Sequence, residues 1–299
     1  MPGRLIDRLV APAPAGRLAA VRVLTIAYAL VWIVVRTPFW RDLAALPRAQ
    51  WKPVAFAEAV GPLGPGAVTV IAVATFAAGT VAITGRGWRF SAPVLAVGFL
   101  VLTTLGASWG AILHTEQLVA LHLVVLAAGP SGGERSRDAG WSLRVMSAVT
   151  VTTYFVSGLA KFRFGGGLAW LDGDRLLRLV AHDNLRKHLL GDRYSPIAEY
   201  VLGHPWLFQV AAIATVVVEL GAPVVLFAGR RVRYAWIGLA WTFHVGVLAL
   251  MAILFPYPIV GVAYASMLPV ERLAARWPAR VPATSSTRSP AAPSSAPSA

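Results

Sequence analysis

The chain has 299 residues, of which 57% are hydrophobic and only 13% charged, with a formal net charge of +14 and no cysteine. A soluble domain of this length covers its surface with roughly a quarter charged residues, so the composition argues against one, and the missing cysteines exclude disulfides, thiolate catalysis and Cys-ligated metals. The positive charge is almost all arginine, 24 against 3 lysines, and it gathers at the ends of apolar stretches. That is the pattern of membrane topology signals and headgroup contacts, so no nucleic-acid partner is expected.

The apolar residues fall in blocks of about 20, the length a helix needs to cross hydrocarbon. The ten-residue alternation of a β-barrel is not found. Spans are predicted at 18–35, 66–84, 92–110, 113–129, 142–160, 206–227, 234–253 and 257–269. The fold class is therefore all-α, a polytopic membrane helix bundle of about eight transmembrane helices. The first span, LAAVRVLTIAYALVWIVV, follows a basic stretch as a signal peptide would. It is followed by TPFWRDL rather than a small-x-small cleavage site, and reads as a retained anchor. The last, PIVGVAYASMLPV, is short and begins at a proline.

Orientation follows from arginine placement. With residues 1–17 inside, the loops carrying Arg86 and Arg89, Arg135 and Arg137, and Arg230, Arg231 and Arg233 are all inside. The short outside loops around Ser108–Ile112 and Phe255–Pro258 carry no Lys or Arg. Both termini are then cytoplasmic, in a multi-pass protein of the plasma membrane. A transmembrane domain of 18–270 is expected between the N-terminal segment and a low-complexity, disordered tail of 271–299. Two longer extracytoplasmic connections, 36–65 and 161–205, interrupt it. The second contains LDGDRLLRLVAHDNLRKHLL, whose Leu176, Leu177, Val180, Leu185, Leu189 and Leu190 form a candidate apolar face for a helix lying in the interface or capping the bundle.

Ionisable residues in or beside spans are costly and should face the bundle interior or water. His114 and Glu116 open the fourth span, and His122 follows His114 on about the same helix face. Lys161 ends the fifth span, two turns after Tyr154, while Glu219 lies in the sixth and His244 in the seventh. Lys161 and His114 fall at the outer ends of their helices and His244 nearer the middle. The three are candidates to share one outward-facing cavity, with a desolvated Lys161 as base and the histidines relaying protons or steadying an anion. The plainer readings are that Lys161 snorkels to headgroups, that His122 and His244 are interhelical hydrogen-bond partners, and that Glu219 pairs with an arginine on the inner flank. His182, His188 and His204 read as solvated, and no metal is expected.

YFVSGLAKFRFGGGLAWLDGDRLLRLV resembles the motif of the HTTM (horizontally transferred transmembrane) domain, the vitamin K-dependent γ-carboxylase-like family. SWGAILHTEQLVALHLVVL, VVVELGAPVVLF and FHVGVLALMAILFPYPIVGVAYASMLP resemble further family segments in the same order, so the likeness covers about 15–270. By that resemblance Lys161 matches the lysine that deprotonates a reduced naphthoquinone (vitamin K or menaquinol), and His114 and His244 match histidines near the same site. The resemblance implies a bacterial quinol-oxidising or carboxylase-like enzyme (a carbon–carbon lyase). In it the quinol anion reacts with dioxygen, and the strong base so formed removes a proton from a second substrate in a site that excludes water. The carboxylase has a large lumenal domain after its spans and, as expected here, a second lysine where this chain has Ala160. A separately encoded soluble subunit is the partner this difference suggests. The competing expectations are a transporter of a lipophilic or anionic solute and a non-enzymatic scaffold for such a subunit.

Overall fold

A computed structural model describes residues 11–14, 16–110, 115–131 and 136–272. Among these residues the regular structure is entirely helical. The principal helices are α1 (Arg17–Ala44), α2 (Pro65–Ala82), α3 (Trp88–Gly106), α4 (Gln117–Ala128), α5 (Arg137–Phe164), α6 (Asp174–Leu189), α7 (Pro205–Leu220) and α8 (Arg230–Met251). Five of them, α1, α2, α3, α5 and α8, are long and apolar enough to cross a membrane. Their outward faces carry bare apolar side chains such as Val31, Val34, Val70 and Val73, which suit lipid and would be a liability in water. His114 lies outside the described residues, as do the tail beyond residue 272 and most of the N-terminal segment.

Three expected spans differ in form. The fourth is expected over 113–129, but the helix described there is the twelve-residue α4, about 18 Å long. The sixth does not run unbroken over 206–227: α7 stops at Leu220, and a separate turn, Val224–Phe227, follows. Pro223 explains the break, since its ring and missing N–H end the preceding helix. The eighth, 257–269, is not one helix. It consists of a four-residue helix, Pro256–Ile259, and a tight 3-10 turn, Val262–Met267, separated by Gly261 at φ 79°.

That irregular segment joins two cores. One packs α1 to α4 against the start of α5 and takes in Tyr257, Ala263 and Ala265. The other packs α5, α7 and α8 and takes in Tyr264 and Met267. Irregular backbone is tolerated inside a core only where its polar groups find partners, and several groups of this segment do. Thr150 Oγ1 donates to Ala263 O at 3.1 Å, and the Ser266 and Ser147 hydroxyls are 3.0 Å apart. Tyr257 OH lies 2.8 Å from His122 Nδ1, while His122 Nε2 meets Thr150 Oγ1 at 3.0 Å. His122 is thus an interhelical hydrogen-bond partner, the plainer of its two readings.

The 161–205 connection caps the bundle. Val180 and, less fully, Leu176 and Leu177 face inward, but Leu185, Leu189 and Leu190 are exposed and do not complete the expected apolar face. Asn184 and Lys187 take the inward positions because the end of α8 needs donors. Asn184 Nδ2 donates to Leu250 O at 2.8 Å, Lys187 Nζ to Met251 O, and Ser195 Oγ to Ala249 O. These are last-turn carbonyls with no partner in their own helix, at the end where a cation is favoured.

The opposite end is closed by Arg17, which donates through Nε and Nη2 to the two oxygens of Glu271 at 2.8 and 2.7 Å. Arg17 holds the Glu271 carboxyl below its ordinary value of 4.5. The folded chain then binds fewer protons there than the unfolded one. The pair's contribution is intact above about pH 4.5 and is lost as pH falls through the lower folded value. Melting curves of Glu271→Gln should lie below wild type near neutrality and converge with it in acid. Parallel curves would mean that the pair contributes nothing.

Candidate functional site

The site grows from one face of α5, on which Tyr154, Ser157, Gly158 and Lys161 follow at helical spacing. Lys161 stands one turn before the end of a 28-residue helix, about 42 Å long, which exceeds the hydrocarbon thickness. Its ammonium reaches both carboxylate oxygens of Glu219 at 2.7 Å and Ser157 Oγ at 3.2 Å. Ser157 Oγ in turn donates to Glu219 Oε1 at 3.1 Å. The glutamate side chain is 2% exposed and the lysine 20%, so only the lysine can be reached from outside the bundle. The Trp170 ring covers the ammonium at 5.9 Å.

Glu219 therefore pairs with Lys161 and not with an arginine on the inner flank, as expected from sequence. Lys161 does not snorkel alone. The reason is the close crossing of α5 and α7. A Cβ on Gly158 would come within 2.9 Å of Glu219 Cβ and Leu220 Cδ2, so only glycine lets the helices approach this far. A carboxylate buried there needs a cation, and Lys161 is one turn away.

Two turns back along the same face, about 10 Å, a second polar cluster begins. Tyr154 OH lies 2.7 Å from His244 Nε2 and 2.6 Å from Tyr264 OH. The indole of Trp236 packs edge-on against Tyr154, and its Nε1 donates to Val218 O at 2.9 Å. His244 Nδ1 is buried without a hydrogen-bond partner among the described residues. Lys161 and His244 are thus linked through the Tyr154 face of α5 rather than by direct contact, and the position of His114 lies outside the description. Glu116, beside it in sequence, is buried and takes Arg36 Nε at 2.6 Å, tying α1 to the start of α4. His182 and His188 are exposed and His204 is half-buried.

Sequence reasoning missed Tyr264, Trp170 and the true partner of Glu219. Ser157 and Gly158, one turn before Lys161, were the available signal for a close polar crossing. Nothing in the sequence pairs Tyr264 with Tyr154.

Fold and site define an all-helical protein whose long apolar helices suit a membrane, with a lysine–glutamate pair between α5 and α7. Compared with known proteins, the chain matches no protein-family model, no curated protein and no solved structure.

Proposed function

We propose that this is a multi-pass membrane enzyme in which Lys161 and Glu219 form a proton-transfer centre for a lipid-soluble quinol. The observation that carries the reading is the pair itself. An exposed-edge ammonium backed by a buried carboxylate is expensive in a bilayer, and such groups are functional by default. Both termini are taken as cytoplasmic in the cell membrane, a reading supported by the Arg17–Glu271 contact, which puts the two ends of the domain on one side.

The residues present fit a reduced naphthoquinone on one point: buried His244 Nδ1 offers a hydrogen-bonding atom with no internal partner. When bound, such a quinol supplies an acidic hydroxyl and the electrons for reaction with oxygen. The chain's part is to move the proton. Lys161 passes one proton to Glu219 across their 2.7 Å contact and takes the hydroxyl proton in its place. The outcome is a neutral Glu219, an ammonium at Lys161 and an anion beside it, which that ammonium stabilises. Tyr154 holds His244 in place to receive a second oxygen.

A second reading, a non-catalytic bundle tied together by the pair, is favoured by the full use of the ammonium's three donors. Purified protein supplied with menaquinol and oxygen separates the two, with Lys161→Met/Glu219→Leu as the folded control. Quinone epoxide, read by mass spectrometry from wild type alone, supports the enzyme. Equal traces from both proteins sink it and leave the structural reading.

A further inference from the structure

The hydroxyls of Tyr154 and Tyr264 and the imidazole of His244 form a group of three, all buried. Two contacts join them, 2.7 Å from Tyr154 OH to His244 Nε2 and 2.6 Å from Tyr154 OH to Tyr264 OH. The other edge of the imidazole meets no polar group. His244 Nδ1 is buried without a hydrogen-bond partner among the described residues, and the rings of Phe243 and Phe255 pack against the imidazole at 5.1 and 5.0 Å between centroids.

A neutral imidazole and two phenols hold three polar hydrogens, one on each group. The two contacts use two of them, so one hydrogen is left over in every arrangement. The arrangements differ in what else is stranded. When Tyr264 donates to Tyr154 and Tyr154 donates to His244 Nε2, the spare hydrogen sits on Nδ1 and every other hydrogen and ring nitrogen is used. When Nε2 donates to Tyr154 instead, a hydroxyl hydrogen is stranded on one of the tyrosines. Nδ1 is then a bare acceptor and is stranded as well. One buried group goes unmet in the first case and two in the others, and each unmet group keeps its full desolvation cost. An imidazolium would add a buried charge with no carboxylate bonded to it among the described residues.

We infer that Tyr154 fixes His244 as its Nδ1–H tautomer, so that the unpartnered edge is a donor and takes an acceptor oxygen of the bound molecule, the carbonyl of a quinone or the oxyanion formed from its quinol. The hydrogen bond at one ring nitrogen sets the state of the other. The choice of ligand rests on the quinol reading, whereas the tautomer rests on the hydrogens alone. His244 in this form takes no proton at its free edge, so the hydroxyl proton goes to Lys161, about 10 Å along α5 from Tyr154. Tyr154 is a positioning residue: it acts through His244.

The test is nitrogen NMR of the full chain in detergent with its six histidines isotope-labelled. His244→Gln identifies the His244 signals by their loss. Wild type should show a protonated Nδ1 and a bare Nε2. Tyr264→Phe removes the one other acceptor for the Tyr154 hydroxyl and should keep that pattern. Tyr154→Phe leaves both ring nitrogens without a partner, so the fixed pattern should give way to a mixture in which the Nε2–H form appears. Oxidised menaquinone, which has acceptor oxygens and no hydroxyl, should move the Nδ1 signal of wild type. A bare Nδ1 or a doubly protonated ring in wild type would overturn the proposal, and this decides the matter if Tyr154→Phe does not fold. An unchanged pattern in folded Tyr154→Phe, or an Nδ1 signal unmoved by menaquinone, would overturn it too. The tautomer is read with no ligand and no turnover, so it fails or stands apart from the epoxide assay that decides the quinol reading.

Discussion

Lys161→Met is expected to lower the stability of the detergent-solubilised protein by about 3 kcal/mol, because it strands a buried carboxylate. Glu219 is 2% exposed, and its other hydrogen bond comes from one hydroxyl, Ser157. Lys161→Met/Glu219→Leu should recover most of that loss, since apolar residues of similar volume replace both charges. Thermal unfolding of the two variants beside wild type reads the difference directly. A single variant as stable as wild type would show that Glu219 is comfortable alone, and the pair would lose its standing as the centre of the site. The comparison also decides how any activity assay is read, because loss of turnover in Lys161→Met alone confounds chemistry with folding.

Gly173→Ala should be more damaging still, by about 3 kcal/mol or more, from backbone strain and overpacking together. Gly173 has φ 85°, and a Cβ there would sit 2.3 Å from the backbone nitrogen of Gln209. Neither obstacle is a flexible side chain that can move aside. This glycine joins the Trp170 turn to α6, so its loss should loosen the cover over Lys161 as well as the cap on α8. Greater exchange of backbone amides in α6 and at the start of α7, by hydrogen–deuterium exchange, is the expected sign. Wild-type protection in the variant would mean that the close approach at Gln209 is not needed for the fold.

Much of this architecture was legible without coordinates. α1, α2, α3, α5 and α8 follow from blocks of apolar residues long enough to span hydrocarbon, a property of local composition alone. Lys161, Glu219 and His244 were also identifiable one by one, because a charged or polar residue inside such a block is costly wherever its helix is placed. What an apolar block does not encode is who meets whom. Glu219 finds Lys161 because Gly158 lets two helices touch, and His122 finds Tyr257 across 135 residues of sequence. The last segment shows the same limit most clearly. Its apolar run reads as a span, yet Pro256, Pro258 and the left-handed Gly261 break it. Its two tyrosines are held by partners in both cores. Sequence thus determined the class of protein, the long spans and the costly residues, since each depends on transfer of local groups from water. Tertiary structure alone decided the pairings and the cap on α8, because each depends on helices brought together from distant parts of the chain.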